Sequence, residues 1–119
     1  MRPDHRKKIA VTALEDIKAR DITVLDVRKI TSLYDTLIVA SGDSARQVKA
    51  LAQNVRDKLK ESGASIIGVE GEETGEWVLV DAGDIVVHVM QPAVRAYYNL
   101  EELWAPSTPV RRAKTRAAA

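Results

Sequence analysis

Residues 77–90, WVLVDAGDIVVHVM, constrain the fold more than any other stretch of this chain. Ala82-Gly83 is a tight-turn pair between two runs rich in valine and isoleucine, so the segment reads as a β-hairpin. Side chains two residues apart share one face of a strand, which places Val78 and Val80 on the same side as Ile85, Val87 and Val89. Trp77, Leu79 and Asp81 fall on the other side, with Val86, His88 and Met90. The purely aliphatic side is the natural inner face. Helices must cover it, and the outer face, with its tryptophan, leucine, histidine and methionine, requires a separate explanation.

Two amphipathic stretches supply the cover. Asp4 is placed to cap the first, and Ile9, Ala13, Leu14 and Ile17 line one face of a helix running to about Arg20. Ser44-Ala45-Arg46-Gln47 has the form of a capping box. Val48, Leu51, Ala52, Val55 and Leu59 follow at helical spacing until Gly63 ends the pattern. Further strands are expected at 22–27 and 36–41, forming a hairpin, and at 65–70. Pro92 opens a short helix carrying Val94, Arg95, Tyr97 and Tyr98, which Leu100, Leu103 and Trp104 extend or follow as an irregular docked segment. The predicted order is α-β-β-α-β-β-β-α. This is an α/β fold with a mixed five-stranded sheet, helices mainly on one face and at least one parallel pair across the second helix.

A length of 119 residues suits one such domain. No run approaches the roughly 20 apolar residues of a membrane span, and no apolar stretch with a cleavage site follows the basic start, so a cytoplasmic location is expected. The chain has no cysteine, and its two histidines, His5 and His88, lie far apart. No metal and no cofactor are assigned. The net charge of +1 hides an asymmetry. Residues 106–119 hold Arg111, Arg112, Lys114 and Arg116 and no acid, which leaves the preceding part of the chain mildly acidic. Residues 1–105 are therefore read as a single α/β domain and 106–119 as a basic, disordered tail capable of non-specific RNA contact.

The residues do not assemble a catalytic site. Gly42-Asp43-Ser44 could offer backbone amides to a phosphate, but a strand-to-helix turn explains it fully. Asp81 and Asp84 bracket a turn, and no closely spaced carboxylate pair stands where a nucleotidyltransferase would hold its metal ions. An enzyme is not expected. Taken singly, Trp77 would ordinarily be a core residue, His88 a packed one, and Glu70, Glu72, Glu73 and Glu76 a solvated loop. Their clustering favours a protein-binding face anchored by tryptophan.

Several groups of residues carry a family resemblance: Glu70-Gly71, Gly75-x-Trp77, Asp81-x-Gly83-Asp84, Val87-His88-Val89, Arg95, and Tyr98-x-Leu100-Glu101-x-Leu103-Trp104. With Tyr34-Asp35 and Gly42-x-Ser44 upstream, the pattern resembles the Iojap family of ribosomal silencing factors over about residues 8–105. The resemblance implies a nucleotidyltransferase-like fold without catalytic residues. It also implies binding to the large ribosomal subunit through large-subunit ribosomal protein fourteen (uL14), a steric block on small-subunit joining when nutrients are short, and a homodimer when free. Trp77, Leu79, Asp81, His88 and Met90 are then the expected partner-binding residues. Arg95 and Tyr98 would brace the C-terminal helix or line the rim. An RNA-binding ribosome-assembly module and, less favoured, a nucleotidyltransferase are the alternative functions.

Overall fold

The computed structural model describes residues 3–104; the tail anticipated over 106–119 lies outside the described residues. Helix α1 (Pro3–Asp16) leads into strands β1 (Arg20–Asp26) and β2 (Thr36–Ser41), then helix α2 (Ala45–Glu61). Strands β3 (Gly68–Glu70), β4 (Trp77–Asp81) and β5 (Ile85–Met90) follow, and two short helices, α3 (Pro92–Tyr98) and α4 (Leu100–Trp104), close the described chain. The anticipated order is present, with the last helical segment divided in two.

Local chemistry sets the boundaries. Asp4 lies inside α1 rather than capping it, because Pro3, whose missing amide costs nothing in a first turn, begins the helix. The helix stops at Asp16 and not near Arg20, since Lys18 adopts a left-handed φ of 63° and the Leu14 carbonyl accepts from both Ile17 and Ala19. Ser44 caps α2 as expected, its hydroxyl accepting from the Gln47 amide at 3.1 Å. The reciprocal bond differs by one residue: the Gln47 side-chain oxygen accepts from the Asp43 amide at 2.6 Å. The same side chain donates to the carbonyls of Ile17 and Lys18, both at 3.2 Å, and so fastens the end of α1 to the start of α2.

The sheet order is β1-β2-β5-β4-β3. Only β2 and β5 run parallel; the other neighbours are antiparallel. Helix α2 carries the chain from β2 to the far edge, and the β3-β4-β5 meander returns it to β2. Strand β3 is shorter than the 65–70 anticipated, because pairing with β4 extends only from Gly68 to Glu70.

Helices α1 and α2 lie side by side on the inner face. Val48, Leu51, Val55 and Leu59 of α2 are fully buried against Ile38, Ala40, Val78, Val80, Ile85, Val87 and Val89. Each such side chain contributes on the order of 2 kcal/mol. Helices α3 and α4 sit elsewhere. Val94 and Leu100 pack on a second cluster made of Val27, Leu37, Val39, Val86 and Met90, which belongs to the outer face. The expectation of helices mainly on one face holds for the two long ones.

Candidate docking site

Strand register arranges the outer face in rows. Leu25, Leu37, Val86, Asp81 and Gly68 form one, and Thr23, Val39, His88, Leu79 and Glu70 the next. Ser41, Met90 and Trp77 form the third. Alternation alone therefore brings Trp77, Leu79, Asp81, His88 and Met90 together on adjacent strands.

Their exposure is unequal. Trp77, Leu79, Asp81 and His88 are partly exposed, whereas Met90 is fully buried. Met90 cannot supply contact area to a partner in this conformation; it lies in the apolar cluster under Val94 and Leu100. Its expected role as a surface contact is corrected to that of a support beneath Trp77.

Trp77 is held from several sides. Its indole N–H donates to His88 Nδ1 at 2.8 Å, with ring centroids 5.8 Å apart. The Tyr98 ring, from α3, has its centroid 4.8 Å from that of Trp77. The backbone beside it is equally restricted: at Gly71, with φ of +90°, a Cβ would stand 2.0 Å from the Trp77 carbonyl oxygen, so no other residue fits without moving the strand.

Because His88 Nδ1 accepts from Trp77, the imidazole must be neutral with its proton on Nε2. Burial holds its pKa down at about 4, against an ordinary 6.5. As pH falls below about 6.5, the unfolded chain takes up a proton that the folded chain refuses until about pH 4. Stability is lost across that window. The ceiling is roughly 3 kcal/mol, reduced to about 1–2 kcal/mol because the ring keeps some solvent. Urea unfolding at pH 7 and pH 4.5 should show this loss, and His88→Asn, whose Oδ1 takes the place of Nδ1 and can accept from Trp77 without titrating, should remove that part of the pH dependence.

Asp81 has a local duty as well: its Oδ1 accepts from the Gly83 amide at 2.9 Å and shapes the β4–β5 turn. Its charge, together with burial, raises the pKa of Tyr34, burial being the larger cause. Asp81, Leu79, Val86 and His88 floor a depression of about 540 Å³ that Leu33, Tyr34 and Ile67 wall. Leu33 and Ile67 are 78% and 69% exposed. Sequence reasoning passed over both: Leu33 lies in the polar β1–β2 connection, where an isolated aliphatic residue was the available signal, and Ile67 lies within the strand expected at 65–70, whose paired part begins only at Gly68. Glu70, Glu72, Glu73 and Glu76 are all exposed along the border.

Arg95 does not face solvent. Its guanidinium donates to Glu101 at 2.6 and 3.0 Å, to the Ser41 hydroxyl at 2.9 Å and to the Thr23 hydroxyl at 3.0 Å. This clasp ties α3 and α4 to β1 and β2. Among the described residues no three carboxylates or histidines converge closely enough to hold a metal ion.

Together these features make the chain a small α/β domain whose sheet is covered by long helices on one face and carries an anchored tryptophan, aliphatic side chains and bordering acids on the other. A sequence profile described as "ribosomal silencing factor during starvation" matches residues 2–119. The ribosomal silencing factor RsfS of Chromobacterium violaceum is 64% identical over 102 residues, spanning 86% of this chain and 84% of that one. A mouse protein named mitochondrial assembly of ribosomal large subunit protein 1 is 33% identical over 97 residues, covering 79% of this chain and 42% of its own length. The crystal structure of a Chromobacterium violaceum protein superposes with a TM-score of 0.87 at 60% identity over 91% of each chain. The chain belongs to the ribosomal silencing factor family.

Proposed function

We propose that this protein docks through its outer sheet face on ribosomal protein uL14 of the large subunit and sterically prevents the small subunit from joining, damping translation under nutrient limitation. The observation that carries this reading is the open, acid-bordered patch of Trp77, Leu79, Asp81 and His88 beside a fully packed inner face. Trp77 supplies desolvated area, Leu79 extends it, and Asp81 pairs with a lysine or arginine of the partner. The reading requires only that the folded body, 40 × 32 × 21 Å, occupy a joining surface; it requires no chemistry. The family's description as silencing factors and the mouse relative's name, which refers to large-subunit assembly, support a ribosomal partner. The same face would serve a homodimer in the free protein, so self-association and ribosome binding would compete.

Sucrose-gradient sedimentation with separated subunits tests the reading. The protein should travel with large subunits and not with small ones, and should lower the yield of rejoined ribosomes. Absence from the large-subunit fraction would overturn it. Asp81→Asn keeps an acceptor for the Gly83 amide and removes only the charge. It is expected to weaken large-subunit binding by about 1 kcal/mol, on the order of fivefold, with a shallower dependence on salt.

A further inference from the structure

Next to Trp77, and distinct from the depression floored by Asp81, lies a second pocket of about 330 Å³. The rings of Trp77, Tyr97 and Tyr98 line it together with Thr74 and Glu76. Tyr98 is tilted 49° against Trp77, with centroids 4.8 Å apart, and Tyr97 meets Tyr98 edge-on at 85° and 5.0 Å. Rings set at such angles make walls and not a closed stack, leaving π surface available to a guest. Tyr97 is 81% exposed, so the fold gains little from its ring, whereas Tyr98, 53% exposed, leans on Trp77 and still presents part of its face.

The loop that borders this pocket is acidic. Glu70, Glu72, Glu73 and Glu76 fall within residues 70–76, with no lysine or arginine among them, and all four are exposed. Arg95, on the helix that carries Tyr97 and Tyr98, is engaged with Glu101, Ser41 and Thr23. Glu76 lines the pocket and is exposed. Aromatic faces attract cations through their quadrupole, most strongly tryptophan, and an adjacent carboxylate adds a direct charge.

We propose that this pocket is a cation subsite that receives a lysine or arginine side chain of the partner protein, seated against Trp77, Tyr97 and Tyr98 and paired with Glu76. The identity of the partner rests on the docking function proposed above; the chemistry of the pocket does not. Unstacked RNA bases also favour exposed rings, but their phosphates would meet the carboxylates of Glu70, Glu72, Glu73 and Glu76, which disfavours that guest.

Two measurements on the full chain separate the outcomes. In NMR titrations, N-acetyl-lysine amide and N-acetyl-arginine amide at millimolar concentrations should shift the ring resonances of Trp77, Tyr97 and Tyr98, whereas the uncharged N-acetyl-citrulline amide should not. Equal shifts with citrulline, no shifts with either cation, or shifts produced by a short oligouridylate alone would each overturn the proposal. In large-subunit binding, Tyr97→Leu should lose on the order of 2- to 30-fold in affinity, Tyr97→Phe should bind as the parent does, and Glu76→Gln should weaken binding with a reduced salt dependence. Tyr97 is exposed enough for these variants to fold, which urea unfolding verifies. If the cations bind and the parent protein fails to bind large subunits, the docking function falls and the subsite stands. If the parent binds and Tyr97→Leu binds equally, the subsite falls and the docking function stands.

Discussion

Replacing Arg95 with alanine is expected to destabilise the protein by about 3 kcal/mol, a drop of roughly 10–20 °C in melting temperature for a domain of this size. The Arg95 side chain is 11% exposed and its partner Glu101 28%. Its hydrogen bonds join residues far apart in sequence, from Thr23 and Ser41 to Glu101. Removing the guanidinium strands the Glu101 carboxylate beside two hydroxyls that cannot neutralise it, and this uncompensated charge accounts for most of the cost. Arg95→Lys retains a positive charge but not the planar fork, and should recover less than half of the loss. The readout that separates a clasp from a generic core residue is exposure of the cluster beneath. Leu100 and Val94 pack on the cluster that contains Met90, so the alanine variant should show increased binding of a hydrophobic dye and faster amide exchange in β1 and in residues 92–104 before global unfolding.

The second large effect concerns binding. Trp77→Ala should weaken association with the large subunit by 2 kcal/mol or more, about thirtyfold, as expected for a tryptophan at the centre of an interface. Three consequences combine. The partner loses the largest ring of the patch, His88 Nδ1 loses its donor at 2.8 Å, and Tyr98 loses the ring it leans on. Trp77 is also partly buried, so the variant will lose some folding stability; urea unfolding quantifies that share, and affinity is compared below the unfolding transition. If folded Trp77→Ala co-sediments with large subunits as the parent protein does, the outer face is not the docking surface. Trp77→Phe offers an intermediate: it keeps an aromatic contact but cannot donate to His88, and should fall between parent and alanine.

Much of this arrangement was legible in the chain. Alternation in β4 and β5 assigned each side chain to its face, and strand register then brought Trp77, Leu79, Asp81, His88 and Met90 together as that assignment required. The capping serine and the spacing from Val48 to Leu59 located α2 to within a residue. Motif resemblance points to the family from the sequence alone, and the sequence profile and the 64% identical relative agree with it. Less was legible at the C-terminal end. The spacing of Val94, Tyr97, Tyr98 and Leu100 fits one continuous helix or an irregular segment equally well. Asn99, at a left-handed φ of 49°, breaks it into α3 and α4, a conformation asparagine tolerates better than most residues.

Periodicity by itself determined which face of each strand and helix a residue occupies, because that follows from local backbone geometry at fixed residue spacing. It could not determine how much of a face stays open, since coverage depends on where distant segments dock. Tertiary structure decided that α3 and α4 fold over the outer face, that Met90 is sealed while Trp77, Leu79 and His88 stay accessible, and that Leu33 and Ile67 rise beside them. The cause is long-range: a buried guanidinium must find its carboxylate and hydroxyls, and Arg95 finds them on β1, β2 and α4, which only the folded chain brings within 3 Å.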